Sequence, residues 1–243
     1  MSSEGVRRTV SVVIPVRDDA DFLERCLEAL DRQTVAPDEI VVVDNRSSDR
    51  TPTIARRRRV RLLEEPMLGI PPAASAGYDA ASGEIIARLD ADSVPPPGWT
   101  ARIHAAWDAE PGLDAITGPG RLDSVPRLLR PIATLLYMRS YFALSVVLLG
   151  RPALFGSNFA MTRDVWASAR SRVHRTDPRV HDDLDLSFAL PRGSRVRYEP
   201  GLALHISSRP LRTPLGMALR IGRGVRTIAV NRDALVGPRR RRS

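Results

Sequence analysis

Three short apolar runs, each breaking off into polar or acidic residues, constrain this chain more than any other feature. They are Thr9 to Pro15, Glu39 to Val43 and Glu84 to Leu89. Continuous β-prone runs of this length match strands buried on both faces. Helical patterns separate them. Phe22, Leu23, Cys26, Leu27 and Leu30 recur with a period near 3.6 behind Asp18, Asp19 and Asp21, acids that suit the positive end of a helix dipole. A turn at Gly69-Ile70-Pro71-Pro72 leads into a small-residue helix, Ala73 to Ala81, stopped by Gly83. This alternation predicts an α/β fold, a mostly parallel sheet with helices on both faces. Right-handed crossovers would bring the strand ends Val16 to Asp19, Asp44 to Asp49 and Asp90 to Asp92 to one edge, where such sheets place their sites.

Asp90 and Asp92 stand one residue apart at the end of the third run. In a strand, residues two apart share a face, so both carboxylates are expected to address one ligand. Hard oxygen donors suit Mg²⁺ or Mn²⁺ carrying a diphosphate. The plainer alternative is a polar turn capping a strand. Val60 to Leu63 reads as a further short strand. Beyond Pro95-Pro96-Pro97 the pattern is less regular, with a helix over Gly98 to Trp107 and a strand over Leu113 to Thr117. Arg127 to Leu149 is largely apolar with helix-forming stretches. Phe155 to Met161 and Arg195 to Tyr198 read as strands, and Gly156 would permit close backbone approach to a ligand. An acidic cluster, His181-Asp182-Asp183-Leu184-Asp185-Leu186, lies between them.

The 243 residues suit one large α/β domain, and 43% hydrophobic with 27% charged residues is ordinary for a globular protein. A single cysteine excludes an internal disulfide framework and Cys-rich zinc sites. Its helical spacing makes Cys26 a packing residue, and a cytoplasmic location is expected. The start, Met1 to Thr9, carries no secretory pattern. The longest apolar tract, Tyr141 to Leu149, falls short of the about 20 residues a bilayer span needs. All 37 basic residues are Arg, and the net charge is +9. That charge favours polyanions or phosphorylated ligands, but a cleft lined by carboxylates argues against nucleic acid.

In order, these features resemble the family 2 glycosyltransferases, nucleotide-diphospho-sugar transferases with the Rossmann-like GT-A fold. The resemblance covers roughly residues 9 to 210. It rests on Val10 to Pro15, on Glu39 to Thr51, on Gly83 to Asp92 followed by Pro95, Pro97 and Trp99, on Gly156-Ser157-Asn158 and on Asp182 to Leu186. It implies that Pro15 and Asp44 lie against the base and ribose of the donor, with Val16, Arg17, Asp19, Asn45 and Ala91 beside them. Asp90 and Asp92 would line the metal-diphosphate site, Asp92 as direct ligand of Mn²⁺ or Mg²⁺. Asp183 would be the general base of an inverting displacement on the sugar's anomeric carbon. Asp182, Gly156, Ser157 and Asn158 would lie on the acceptor side. His205 matches a further metal or diphosphate contact, and Arg209 a cationic partner of the diphosphate.

Each residue also has a plainer reading. Asp44 could cap the turn after the second strand, Asp183 could be a helix N-terminal acid, and His205 a structural histidine. The chain also departs from the family's pattern. Val16-Arg17-Asp18-Asp19 replaces Thr-Tyr-Asn-Glu, Ala73-Ala74-Ser75-Ala76-Gly77 lacks the usual Arg, and Asp182 shortens a Glu. The rival functions are therefore a non-catalytic nucleotide-sugar-binding homologue and a nucleotidyltransferase; against the latter, no Gly-rich, Lys-containing phosphate loop lies near the N-terminus. Residues 211–243 form a second region: Leu215 to Ile228 interleaved with Arg220, Arg223, Arg226 and Arg232 is compatible with a basic amphipathic helix on an anionic membrane, followed by the Arg-rich tail Arg239 to Arg242. Contact with the inner face of the cell membrane would make a lipid-linked acceptor plausible; the alternative is a helix covering the sheet with snorkelling Arg stems.

Overall fold

The computed structural model describes residues 7–122, 130–207 and 214–235. Among them, the chain alternates β1 (Val10–Val16), α1 (Ala20–Asp31), β2 (Glu39–Asp44), α2 (Thr51–Arg57), β3 (Arg61–Glu64), α3 (Ile70–Ala80) and β4 (Ile85–Leu89). It continues through α4 (Trp99–Ala109), β5 (Ala115–Thr117), β6 (Gly120–Leu122), α5 (Arg130–Leu149), β7 (Asn158–Thr162), α6 (Arg163–Ala169) and α7 (Asp182–Ala189). It then runs through β8 (Val196–Tyr198), a 3-10 turn (Pro200–Leu202), β9 (Leu204–Ile206), α8 (Pro214–Val230) and α9 (Arg232–Leu235).

Seven strands form one sheet in the order β3-β2-β1-β4-β7-β5-β8, and β6 pairs with β9 in a second. β3, β2, β1 and β4 are parallel, whereas β7 runs antiparallel to both of its neighbours. The order reverses at β1, between β2 and β4. That is a topological switch point, and it collects the ends of β1, β2 and β4 at one edge.

Side chains of β1 alternate between two cores. Val10, Val12, Ile14 and Val16 pack with Leu23, Leu27 and Leu30 of α1 and with Trp99 and Ile103 of α4. Val13 faces the other way, toward Tyr78 of α3, Trp166 of α6 and Leu186 of α7. Gly77 sets the closeness of α3, since a Cβ there would strike Val13 and Val43. Helix α3 begins at Ile70 rather than at the expected Ala73, because Pro71 and Pro72 fit a first turn that needs no amide hydrogens.

Helices α2, α6 and α9 and the β6–β9 pair were not expected from the pattern. Thr51-Pro52 opens α2 with the proline in its first turn. Thr162 caps α6, its hydroxyl accepting from the Val165 amide at 3.3 Å. Helix α8 is tied to α7 and the loop before it. The Thr227 hydroxyl accepts from the His181 amide at 2.8 Å, the Arg226 Nε donates to Asp177 at 2.8 Å, and the Asn231 amide donates to buried Asp185 at 2.8 Å. Leu219, Ile221 and Val225 of α8 remain exposed. Among the described residues, no helix is long and apolar enough to cross a membrane.

Candidate active site

Strand parity delivers the first group. Ile85, Ala87 and Leu89 enter the core under α1 and α4, so Arg88 projects toward α3 and α7. It is 1% exposed, a costly position for a cation without partners. Its guanidinium donates to Asp90 Oδ1 at 2.6 Å, to Asp182 Oδ2 at 2.7 Å and to the Tyr78 hydroxyl at 2.9 Å. Tyr78 is held edge-on against Phe159 and Trp166. One buried cation therefore ties the end of β4 to the start of α7.

The two carboxylates on Arg88 titrate in opposite directions. Burial pushes Asp90 up, but Arg88, the Ser157 hydroxyl at 2.6 Å and the nearby Arg220 charge outweigh it and hold the carboxyl below its ordinary value. Burial pushes Asp182 up, and although Arg88 pulls it down, the adjacent Asp183 adds to the rise. Asp90 is thus the firmly ionised member.

The chain leaves β4 at Leu89, so Asp90 and Asp92 lie in a turn closed by the Ser93 amide donating to the Asp90 carbonyl at 3.0 Å. Strand alternation therefore does not align them, contrary to the expectation above. The backbone sets what stands beside them instead. Val94 pairs with His205 through two amide–carbonyl bonds, at 2.8 and 3.2 Å, which brings β9 alongside the residues after Asp92. Among the described residues, no three His, Cys, Asp or Glu side chains are grouped to hold a metal by themselves. Asp92 and His205 are a carboxylate and an imidazole on stretches that this backbone pairing brings together, and a Mg²⁺ or Mn²⁺ held there would draw its remaining ligands from phosphate and water.

Asp183 occupies the first turn of α7, as its plainer reading had it, and also faces the cleft. Its Oδ1 accepts from the Leu184 amide at 2.7 Å and its Oδ2 from the Gly156 amide at 2.8 Å. A Cβ on Gly156 would come within 3.0 Å of that Oδ2. The close approach foreseen for Gly156 is therefore to Asp183 itself. Gly156 and Ser157 sit in a turn, because β7 starts only at Asn158.

Asp90, Asp182, Asp183, Gly156 and Ser157 line one cavity of about 440 Å³ together with Arg17 and Asn45. Arg220 and Arg223 of α8 complete the wall; they were foreseen as part of a surface helix, not of a site. His181 and Arg88 were also missed. A lone cation inside an otherwise apolar strand was the available signal, since a buried Arg requires carboxylate partners.

Several expected donor contacts serve the fold. Asp44 accepts from the Ser47 amide at 3.2 Å, the turn-capping role. The Asn45 amide donates to the carbonyls of Glu65 at 2.9 Å and Met67 at 2.7 Å and accepts from the Gly69 amide at 2.8 Å, shaping the cavity's rim. Val16 and Ala91 are buried in the apolar core, which leaves only their backbones for a ligand, while Pro15 is half-buried. Asp19 stands at the N-terminus of α1. Asn158 is fully buried, its amide is used by Trp99, Pro119 and Leu202, and it is not among the residues lining the cavity above. Arg209 lies outside the described residues.

The loops after β1 and β2 are laced together. Asp18 accepts from the Ser48 amide at 2.7 Å, and Asp49 accepts from the first amide of α1, that of Ala20, at 3.1 Å. Asp18 and Arg46 both adopt left-handed backbone, with φ of 51° and 62°, strain of the kind that gathers at ligand-facing loops.

Comparison with known proteins places this geometry. The sequence model of glycosyl transferase family 2 matches residues 11–167, more than half of the chain. Glycosyltransferase AglE of Haloferax volcanii is 36% identical over 119 residues, which cover 46% of this chain and 36% of that protein. An uncharacterized glycosyltransferase of Mycobacterium tuberculosis is 35% identical over 112 residues, 46% of this chain and 49% of its own length. The matched stretches thus span about a third to a half of these relatives. Among solved structures, the mannosyltransferase PcManGT of Pyrobaculum calidifontis, in complex with GDP-Man and Mn²⁺, aligns with a TM-score of 0.64 at 23% identity over 95% of this chain and 72% of that one. Glucosyl-3-phosphoglycerate synthase of Mycobacterium tuberculosis, with Mn²⁺, UDP and phosphoglyceric acid, aligns with a TM-score of 0.66 at 21% identity over 92% and 78%. At these identities the structural likeness establishes the fold, GT-A. With the family match over the β1-to-α6 half that builds the Asp90 and Asp92 turn, the chain belongs to glycosyl transferase family 2.

Proposed function

We propose that this chain transfers a sugar, with inversion, from a nucleoside-diphosphate donor to an acceptor hydroxyl, assisted by a divalent metal. The observation that carries the reading is the meeting of Asp90 and Asp183 in one cavity, the first at the turn after β4 and the second held by the Gly156 and Leu184 amides with the His181 ring 3.9 Å from its Oδ1. Asp92 and His205 would hold the Mn²⁺ or Mg²⁺, which supplies Lewis-acid neutralisation of the leaving diphosphate. The complexes of the structural neighbours with Mn²⁺ and a nucleotide or nucleotide sugar support this assignment.

Asp183 takes the acceptor's proton as its oxygen attacks the anomeric carbon. The Gly156 and Leu184 amides fix the carboxylate so that one orientation is available to the acceptor. Asp182, paired with Arg88, positions α7 on the acceptor side of the cavity. Arg17, Asp44 and Asn45 shape the nucleoside end, and residues 214–235 act with the rest as one unit because α8 forms a cavity wall.

The test is Asp183→Asn. Nucleoside diphosphate release from the sugar donor should fall at least about 100-fold, the lower end for loss of a general base, with metal-dependent nucleotide binding retained. Full activity in the variant would move the base elsewhere. Binding without turnover in the unaltered protein would favour the non-catalytic homologue.

A further inference from the structure

An apolar groove of about 410 Å³ runs between α5 and α8, beside the cavity just described. Tyr141 and Leu144 line one side, and Ile221, Val225 and Ile228 the other. Leu144 is 58% exposed, Ile221 61% and Val225 63%, a contiguous apolar face of the kind that marks a binding surface. The groove is continuous with the catalytic cavity: Phe155, His181, Asp183 and Arg220 line both. Its inner end is therefore the proposed base, and the cation Arg220 stands at the junction with Arg223 nearby.

We infer that this groove binds the acceptor, an amphiphile with a single aliphatic chain and an anionic, hydroxyl-bearing head. The chain lies between α5 and α8, the hydroxyl reaches Asp183, and the anionic group meets Arg220 and Arg223. This deepens the transferase reading and rests on it. A purely polar acceptor would gain nothing from an apolar wall leading to the base. A protein segment seated in the groove would close the approach to Asp183. Charge complementarity at the junction selects an anionic head over a neutral one. Gly224 of α8 lies in the groove wall, and a Cβ there would meet nothing within 4 Å. The space is open, so a side chain can be built into it without displacing the fold.

The experiment is calorimetric titration with 1-acyl-glycerol 3-phosphates of 6 to about 12 chain carbons, below their micelle concentrations. Glycerol 3-phosphate is the chainless control, and 1-monoacylglycerols are the control without phosphate. Affinity should rise by up to about fourfold per added methylene until the groove is full. It should drop about tenfold or more when the phosphate is absent. Gly224→Leu should cut the chain-length dependence short, and Val225→Glu should abolish it. Affinity independent of chain length would overturn the proposal. So would a dependence unchanged in both variants, or a dimer in sedimentation that Val225→Glu dissociates, which would assign the face to a second copy. Melting with nucleoside diphosphates and Mn²⁺ on the same samples separates the two readings. Nucleotide binding with a flat chain series overturns the groove alone, and a chain series without nucleotide binding overturns the transferase reading and with it the acceptor role, leaving only an amphiphile-binding groove.

Discussion

Replacing Arg88 by Met keeps the volume and removes the cation that holds Asp90, Asp182 and Tyr78. Removing one partner of a buried ion pair costs about 3–5 kcal/mol, because the other charge is left uncompensated. The Asp182 side chain is 15% exposed, but that of Asp90 is 36% exposed and partly screened by water, so the lower end applies, about 3 kcal/mol. For a chain of this size that is a fall in melting temperature of roughly 6–12 °C. The penalty depends on pH. Asp182 already lies above its unfolded value of about 3.9 with Arg88 beside it and rises further without that cation, so at this group the folded state binds a proton more readily than the unfolded one. Stability is then regained as pH falls toward 4 and lost as pH rises through the raised value. The deficit against the unaltered protein should therefore be largest near pH 7 and shrink on acidification. The metal-dependent nucleotide shift should weaken in parallel, since Asp90 loses its anchor. Calorimetry across pH 4–8 measures all of this. A deficit under about 3 °C, or one that does not change with pH, would refute the argument that Arg88 joins β4 to α7.

Gly156→Ala places a Cβ 3.0 Å from Asp183 Oδ2 and should lower turnover about tenfold or more, toward the 10²-fold that a displacement of about 1 Å costs. Nucleotide-induced melting shifts should be unchanged; undiminished turnover would show that the position of Asp183 is unimportant. Asp177 accepts from Arg226 and Arg179, and the Arg226 bonds hold its carboxyl far below the usual range. A lowered folded value gives stability that is present above about pH 3.9 and lost only as pH falls through the folded value. Asp177→Asn should thus speed amide exchange at His181 and Thr227 at neutral pH, and equal protection in both proteins would mean the ion pair does not secure α8.

The parallel half of the fold was legible because its signals are local. β1, β2 and β4 are continuous apolar runs, and α1 shows its period in Leu23, Cys26, Leu27 and Leu30. The insertion of β7 antiparallel between β4 and β5 was not legible, since strand order is decided by contacts among distant residues. In the site, Asp90 and Asp183 announced themselves as acids at element boundaries. The structural employment of Asn158 did not, because an amide committed to Trp99 and two carbonyls looks in sequence like one offered to a ligand. Nor did Arg220 and Arg223, whose spacing on α8 fits a solvent-facing stripe equally well. Which face turns inward was settled by Thr227, Arg226 and Asn231, polar residues whose partners on α7 and its approach lie more than 40 residues away.

The account turns on a metal-dependent nucleoside diphosphate bound at the Asp90–Asp92 turn, and thermal melting with UDP, GDP, dTDP and CDP, each with and without Mn²⁺, tests it most directly. A ligand that binds only the folded state raises the midpoint. The expected result is a shift with at least one nucleotide that requires the metal and disappears in Asp92→Asn. A shift that ignores the metal, or one that survives in Asp92→Asn, would contradict the assignment of the metal turn; no shift with any of the four would contradict the donor site itself.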